Sequence, residues 1–511
     1  MPPRFALSGG RLKTWPRRSG GRRGGWAVLW AATGLVTGCA VGPNFKPPTA
    51  PAATGYEQDE VRLPVPGGTE TAQRLLAGTA VARQWWEAFG SPRLNDTLAL
   101  ALAGSPTLAS AQATLAQAEE VVAEVRGAYA PQLDLGASAA REHARPGPGV
   151  GSPSVTTNLA SLGPLVSYAP DLFGRTRRSV EQQAALADTQ RYQLAAAYLS
   201  LTVGTVAQAI TIAATVAQIR AAEDIVATDE HNLELVRIEF EAGSVARLDV
   251  LSAESQLASD QTLLPPLQQQ LSVARHALSV LVGRTPAQWS APDFELDALT
   301  LPADLPVTLP SELIRARPDV LAAEAQLHAA SAAIGVATAQ LYPTITLSAS
   351  WTLQTATAGA LFDTSSVISN LTAGLTAPLF HGGALEAQRR AAVDAFDAQL
   401  GSYRQTVLQA FGQVADVLRA LQHDAELLRA QGTALTTSVA SLKLAQDAYA
   451  AGRGSLLQVL DAERLYGQAV LGYARAKAQR FLDTVLLFEA VGGAWQDWLR
   501  QATGAPRAAG P

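Results

Sequence analysis

Cys39 is the residue whose type and position point most directly to chemistry. It is the only cysteine in 511 residues and follows Val36-Thr37-Gly38, the spacing at which signal peptidases of bacterial lipoproteins cut. The preceding 38 residues carry seven basic residues, no acid and an apolar run over 26–36, which is typical of a signal peptide. The alternative is a buried core cysteine. We predict that Cys39 becomes an acylated N-terminus, and the next residue, Ala40, is not the Asp of an inner-membrane retention signal.

No other group of residues has the spacing of a catalytic or metal site. The six histidines form no pair at helical ligand spacing, and the sequence has no nucleophile elbow and no phosphate-binding glycine loop. His381, beside Gly382, is interpreted as exposed in a loop. With Cys39 acylated, no thiol remains for redox or metal chemistry. We therefore expect no enzymatic activity, no cofactor and no metal.

Removal of the signal peptide makes the chain strongly acidic. The full sequence has 39 Lys and Arg against 44 Asp and Glu. Without the seven basic residues of the first 38, 32 remain, and the formal charge falls to near −12. Such a charge argues against binding to nucleic acid.

Two stretches alternate between apolar and small polar residues with the period of a β-strand. From Thr344 to Trp351, Ile, Leu, Ala and Trp alternate with Thr and Ser, and Gln132 to Ala139 repeats this phase. Residues 156–168 and 371–379 are predicted to return as the second strands of two hairpins. An apolar face backed by small hydroxyl residues suits a wall between lipid and water. We expect four such strands per chain.

Long helices are predicted around the hairpins. The Ala-rich tract 94–128 forms one, and the tract 175–242 would be roughly 100 Å long at 1.5 Å per residue. Residues 194–219 carry no charge, a length that passes for a membrane span. We interpret this run instead as a helix packed between two neighbours, because its larger residues form two stripes. The stripes are Leu194, Tyr198, Leu201, Ile212 and Ile219, and Leu199, Val203, Val206 and Ile210.

The same order of elements occurs twice. A tight turn at Gly243 leads into a helix interrupted near Pro265, and a counterpart of this turn lies at Gly452. Each half reads as helix, hairpin, long helix, glycine turn and return helix, repeated after about 210 residues. We divide the chain into a signal peptide, an extended anchored segment, a first repeat, a second repeat and a tail. Their bounds are 1–38, 39–84, 85–300, 301–500 and 501–511.

Four strands cannot close a membrane barrel by themselves. An open sheet edge in lipid leaves backbone groups unpaired at a cost of several kcal/mol each. We therefore predict a homotrimer in which three chains supply twelve strands and the long helices continue the tube as a coiled-coil barrel. The expected fold class is an α+β membrane protein with an internal duplication.

Several motifs resemble those of one membrane-protein family. The longest runs from Leu309 to Val320 as Leu-Pro-Ser-Glu-Leu-Ile-Arg-Ala-Arg-Pro-Asp-Val. Cys39-Ala-Val-Gly-Pro-Asn-Phe and Asp171-Leu-Phe-Gly are further matches. These motifs span nearly all of the chain after the signal peptide. They closely resemble the TolC-like outer membrane efflux proteins, in particular their NodT-type lipoprotein branch.

This resemblance implies a trimeric channel with a twelve-stranded barrel in the outer membrane and an α-helical barrel through the periplasm. It also implies two partners, a periplasmic membrane-fusion adaptor and an inner-membrane transporter of the resistance-nodulation-division type. The expected function is that of the passive outer-membrane duct of a tripartite efflux system. Such a duct passes small molecules, including drugs and toxic compounds, out of the cell.

The resemblance further implies a gate at the periplasmic tip, where acidic side chains ring the narrowest point. Mapped onto this chain, Asp249 lies six residues after Gly243, and Asp461 lies nine after Gly452. Tyr449 matches the family tyrosine three residues before the turn glycine. Like charges on a threefold axis would repel one another and favour the passage of cations. The alternative for both aspartates is the capping or solvation of a helix start.

The chain departs from the family pattern at two positions of this tip. Gln458 stands six residues after the turn glycine, where some relatives have a second Asp, and Gly454 replaces an arginine. Arg453, one residue earlier, is the candidate substitute for that arginine.

Two other functions fit parts of the sequence. A non-conducting structural lipoprotein or adhesin would explain the anchor and the long helices, although not two matched hairpins with a hydroxyl face. A type I secretion outlet for polypeptides would use the same duct, but the cysteine motif and the 309–320 motif favour small-molecule efflux.

Overall fold

The computed structural model of the protein describes residues 40–49, 55–57, 63, 72–144, 154–356 and 367–504. The helices in these ranges are α1 (Pro92–Gly104), α2 (Pro106–Arg126), α3 (Arg175–Glu241), α4 (Arg247–Gln261), α5 (Leu264–Leu281), α6 (Pro310–Ala316), α7 (Pro318–Ala339), α8 (Ala384–Ala450), α9 (Leu456–Ala490) and α10 (Gln496–Thr503). The strands are β1 (Arg74–Ala77), β2 (Gln132–Ala144), β3 (Val155–Tyr168), β4 (Asp304–Val307), β5 (Thr344–Thr355) and β6 (Val367–Thr376).

The predicted hairpins form one four-stranded antiparallel sheet in the order β2-β3-β5-β6. Directly opposite residues of an antiparallel sheet share a face, so the register shows the character of each face. One row across all four strands is apolar and comprises Leu133, Val166, Ala349 and Leu371. The neighbouring row is polar and comprises Gln132, Ser167, Ser348 and Thr372. The predicted alternation of an apolar and a hydroxyl face is confirmed.

Some predicted bounds were wrong, and proline or serine explains the two clearest differences. The tract 94–128 contains two helices, because Ser105 has extended backbone angles and its Oγ accepts from the Leu108 N–H at 3.4 Å. Pro106 then starts α2, where a missing N–H costs nothing. The last strand was placed at 371–379, yet β6 ends at Thr376, two residues before Pro378, which cannot donate to a ladder.

The two longest helices, α3 and α8, have 67 residues each, which is about 100 Å at 1.5 Å per residue. Helix α3 packs against α2, α4, α5, α7 and α9, and helix α8 packs against α7 and α9. Eight of the nine stripe residues predicted on α3 are at most 7% exposed, and the ninth, Ile219, is half-buried. This confirms that α3 is packed between neighbours.

Helices α3 and α7 are long and apolar enough to cross a membrane if length and composition alone are considered. However, 67% and 61% of their most apolar windows are buried inside the protein. This burial is what a core helix requires, and it agrees with the interpretation of residues 194–219.

The core begins at an aromatic group close to the start of α1. Trp85, Trp86 and Phe89 are buried, and the Trp85 ring stacks on Phe488 of α9 with centroids 4.8 Å apart. Nearby, β1, which precedes the first repeat, pairs in parallel with β4 at the start of the second repeat. The two halves are therefore fastened together at the level of this core.

The first described residues pack where the sheet joins the helices. The Val41 N–H donates to the carbonyl oxygen of Phe173 at 3.1 Å, just beyond the end of β3. A Cβ on Gly174 would lie 2.7 Å from the Cα of Ala40, so this close approach requires glycine. The Arg178 guanidinium, which is 3% exposed, donates to the carbonyl oxygens of Val41 and Gly42 at 3.1 and 3.2 Å. The segment is thus fixed at the N-terminal end of α3.

Candidate functional site

Both predicted glycine turns are present, and they close the ends of α3 and α8. Gly243 and Gly452 have φ angles of +76° and +66°, in the left-handed region. The Ser244 N–H donates to the Glu239 carbonyl oxygen at 2.8 Å, and the Arg453 N–H donates to that of Ala448 at 2.9 Å. These bonds satisfy carbonyl groups that a helix end leaves unpaired. A Cβ at either glycine would meet nothing within 4 Å, so backbone angle alone makes glycine necessary.

Asp249 occupies the third position of α4 and caps that helix. Its Oδ2 accepts from the Ala246 N–H at 2.9 Å. Gln458 does the same at the third position of α9, where its Oε1 accepts from the Ser455 N–H at 3.1 Å. The two residues are therefore equivalent in the two halves, and an amide can replace the carboxylate because the shared contact needs only an acceptor. Asp249 is half-buried and Gln458 is exposed.

Asp461 lies one turn further along α9 and has a different environment. It is exposed, and its Oδ1 accepts from the Arg464 guanidinium at 2.7 Å. It caps no helix, so the capping alternative describes Asp249 and not Asp461. An exposed ion pair between residues three apart contributes little to stability, which leaves the Asp461 carboxylate in contact with water.

Tyr449 joins the two long helices at their ends. Its hydroxyl donates to Oε2 of Glu239, which lies in the last turn of α3. Burial, followed by the hydrogen bond and negative charge of Glu239, raises the pKa of Tyr449 to about 12. The negative charge of Asp249 acts in the same direction. The structure therefore places Tyr449, Asp249 and the unpredicted Glu239 in one polar group.

Beneath this polar group lies a small apolar cluster that joins three helices. It comprises Leu233 and Val236 of α3, Val250 and Ala253 of α4, and Leu456 and Leu460 of α9. Val245, Leu257 and Tyr449 pack against it. We call the two glycine turns, this cluster and the polar group around Tyr449 the helical tip. It is separate from the two larger apolar clusters of the molecule.

The remaining predicted residues are Arg453, Cys39 and His381. The Arg453 side chain is exposed and forms no ion pair with any residue the structure describes. Cys39 lies outside the described residues, although the described chain begins directly after it at Ala40. His381 is exposed in the turn before α8. Among the described residues, no group of three or more His, Cys, Asp or Glu is placed to hold a metal ion.

Comparison with known proteins gives this architecture a family. Residues 97–284 and 309–493 match the outer membrane efflux protein family. The chain is 32% identical over 430 residues to the pyoverdine export outer membrane protein OpmQ of Pseudomonas aeruginosa, covering 83% of this chain and 90% of OpmQ. It is 28% identical over 465 residues to nodulation protein T of Rhizobium leguminosarum bv. viciae, covering 90% of this chain and 91% of that protein.

Solved structures show the same fold. The outer-membrane channel OprN superposes with a TM-score of 0.81 at 28% identity, covering 90% of this chain and all of the OprN chain. The fold and the matched sequence therefore agree over the hairpins, the long helices and the glycine turns. The chain belongs to the outer membrane efflux protein family and is the outer-membrane channel component of an efflux system.

Proposed function

We propose that three copies of this chain close a twelve-stranded barrel in the outer membrane and that their helices form one continuous duct. The observation that carries this proposal is the sheet itself, because β2 and β6 each have one edge without a partner strand in the described protomer. β2 and β6 also run in opposite directions, so a second copy would continue the antiparallel alternation without a break. Closure would satisfy every backbone edge group in lipid.

The faces of the sheet support the same assembly. Leu133, Leu135 and Leu371 are more than two-thirds exposed on the apolar face of the isolated protomer. Facing lipid, such side chains would be favourably placed, whereas in water they would form an unusually large apolar patch. The polar row with Ser348 and Thr372 would then face an aqueous lumen.

We further propose that the mature chain is anchored by acyl groups on Cys39. The position of Ala40 supports this, because it packs against Gly174 between the end of β3 and the start of α3. Lipid chains attached one residue earlier would lie at the periplasmic rim of the proposed barrel. Arg178 and Phe173 keep the adjoining residues 41 and 42 in this position through hydrogen bonds with their backbone.

For the cargo and partners, we propose small molecules delivered by an inner-membrane transporter of the resistance-nodulation-division type through a periplasmic membrane-fusion adaptor. The relative named for pyoverdine export, which is covered over 90% of its length, favours this over a polypeptide secretion outlet. The proposed role is a passive duct with no catalytic activity of its own.

The helical tip is proposed as the gate of this duct. Its two turns end the helices that would line the periplasmic half of the tube. It carries the acidic residues Asp249 and Glu239, and Asp461 lies one turn further along α9. Tyr449 would hold the closed state by joining α8 to α3. Arg453 is proposed to contribute a positive charge at the mouth.

Conductance in planar lipid bilayers tests the proposed function directly. The purified full-length chain should insert and carry a stable current that prefers cations, because acidic side chains surround the proposed entrance. A non-conducting structural lipoprotein would insert through its acyl groups and carry no current. A protein that never conducts, even after the tip is loosened by Tyr449→Phe, would contradict the duct.

A further inference from the structure

Three carboxyl groups lie close together inside the helix bundle above the tip, and none of them forms an ion pair with a cation among the described residues. Asp229 of α3 is 3% exposed, Glu463 of α9 is 5% exposed, and Asp260 of α4 is half-buried. Asp229 lies fourteen residues before Gly243, which is about 20 Å along the helix axis. We call these three residues the carboxyl clasp, since each comes from a different helix.

Side-chain amides donate hydrogen bonds to two members of this clasp. Oε1 of Glu463 accepts from Nδ2 of Asn232 at 2.5 Å, and Oδ2 of Asp260 accepts from Nε2 of Gln256 at 2.6 Å. Oδ2 of Asp229 and Oε2 of Glu463 are buried without a hydrogen-bond partner among the described residues. A buried carboxylate oxygen left in this way is costly, and the cost is greatest when the group is charged.

Charged and titratable groups from three helices face the clasp. Asp229 and Glu463 line a cleft of 420 Å³ together with Lys443 of α8 and Tyr466 of α9. Lys443 is exposed and forms no ion pair with either carboxylate. Asp260 is the acidic group on α4 that faces Asp229. The cluster therefore contains three acids and one solvated ammonium at its rim.

Protonation reduces the energetic cost of burying these carboxyl groups. Burial first, and then the neighbouring carboxyl of Asp260, raises the pKa of Asp229 to about 8. Burial also raises the pKa of Glu463. A protonated carboxyl becomes a donor, so the hydroxyl of Asp229 can donate to the carboxylate of Asp260 and join α3 to α4.

We propose that the carboxyl clasp is a proton-dependent fastening that holds α3, α4 and α9 together above the tip, and that loss of its proton loosens the tip. The occupant of the site is a proton shared between carboxyl groups. The clasp itself does not depend on the proposed function, whereas its effect on conductance does.

The packed and the loosened states of the clasp bind different numbers of protons. In the packed state Asp229 holds its proton up to about pH 8, while in a loosened state water returns the carboxyl towards its ordinary pKa. The packed state therefore binds more protons between these values. Raising the pH favours the loosened state by up to about tenfold per pH unit for one proton. Above about pH 8 both states are ionised, and the effect levels off.

Hydrogen exchange of the full-length protein in detergent tests this proposal. Protection factors, corrected for intrinsic exchange, would be measured for peptides within 225–260 at several pH values from about 6 to about 9. In the wild type, protection should fall as the pH rises and then level off. Asp229→Asn keeps the shape of the side chain and removes the ionisation, so its protection should stay high at every pH.

The second buried carboxyl pair provides a matched control. Asp424 of α8 also has its pKa raised to about 8 by burial and by Asp483, but Arg480 lies nearby and the pair is far from the tip. Asp424→Asn should leave the pH dependence at 225–260 unchanged. Asp260→Asn should reduce it in the same way as Asp229→Asn does, which covers the case in which one variant fails to fold.

Three results would overturn the clasp. They are a wild-type protection that does not change with pH, an Asp229→Asn variant that keeps the wild-type pH dependence, and a rise in protection at high pH on adding Mg²⁺ or Ca²⁺. The last would make the cluster a cation site. If hydrogen exchange depends on pH as expected but conductance does not, the clasp is supported and its proposed effect on the gate is contradicted.

Discussion

At the tip, single polar contacts beside a small apolar cluster join the ends of the long helices. Tyr449 reaches Glu239 across the gap between α8 and α3, and Asp249 caps the helix that follows the first turn. The cluster beneath them contains only six buried side chains, from Leu233 to Leu460. Small changes in these contacts should therefore change the opening of the tip more readily than they change global stability.

The first prediction separates charge from capping at Asp249. Asp249→Ala removes both and should destabilise the start of α4 by about 1 kcal/mol. Asp249→Asn removes the charge and keeps an acceptor, as Gln458 does in the other half. If Asp249 belongs to an acidic ring, both variants should lower the cation preference of single channels in planar bilayers.

Asp461 supplies the comparison for that experiment. Asp461→Ala breaks only an exposed pair with Arg464, so stability should change by less than about 1 kcal/mol. A loss of cation preference in Asp461→Ala would support the ring, and the double variant with Asp249→Ala should also conduct more at rest. Unchanged selectivity in Asp249→Asn and Asp461→Ala would return Asp249 to capping alone.

The second prediction concerns the bond between α8 and α3. Tyr449→Phe deletes the hydroxyl that donates to Glu239, and because the site is only half-buried the closed tip should lose up to about 1.5 kcal/mol. The open probability in planar bilayers should rise severalfold. Tyr198→Phe is the matched control, since Tyr198 stacks on Trp498 in the central core and lies far from the tip. An equal open probability of both variants would show that the Tyr449 bond does not hold the tip closed.

Many residues of the tip could be predicted from their identities, but the side chains that they contact could not. Gly243 and Gly452 stand out because a left-handed residue must end each long helix. Glu239 was missed because it is one of several acids on the last turns of α3, and only packing of α8 beside α3 shows which one faces Tyr449. The carboxyl clasp was missed for the same reason, since its three members come from three separate helices.

Among the elements, strands β3 and β5 of the sheet approach each other closely at one point. The register of β3 against β5 runs from Ala160 to Tyr168 but has no paired partners at Gly163 and Pro164. A Cβ at Gly163 would collide with the backbone of Trp351 and Thr352. Glycine therefore lets two backbones approach closely at the centre of the sheet.

The third prediction uses the glycine that lies directly opposite on β2. Gly136 pairs with Gly163, yet a Cβ at Gly136 would meet only one atom, at 4.0 Å. Gly163→Val should destabilise the assembled protein by about 3 kcal/mol, the upper end for overpacking, because backbone cannot yield like a side chain. Gly136→Val should be nearly neutral. The thermal midpoint of the purified protein measures both, and equal midpoints would refute the tight contact.

Element types were easier to predict from the sequence than element ends. Strict alternation from Thr344 to Trp351 identified a strand, and the two stripes on α3 identified a buried helix. The break between α1 and α2 was missed because an Ala-rich pattern continues through Ser105 and Pro106. Serine can both end one helix and cap the next, so only the backbone angles reveal the interruption.

For the whole molecule, the open edges of the sheet are the decisive feature. A protomer with β2 and β6 at its edges exposes two rows of unpaired backbone groups, which no water could satisfy if the sheet lay in lipid as we propose. The long helices have a related requirement, since leucines on α8 such as Leu408 and Leu444 are about two-thirds exposed in one chain. Contacts between copies would bury both sets of groups.

The fourth prediction, and the most direct test of the shared barrel, is the native mass of the full-length protein extracted from outer membranes in mild detergent. We expect a trimer, because three four-stranded sheets supply the twelve strands needed for closure around a wet lumen. A stable monomer that keeps its β structure under the same conditions would contradict the shared barrel, and with it the duct and the gate.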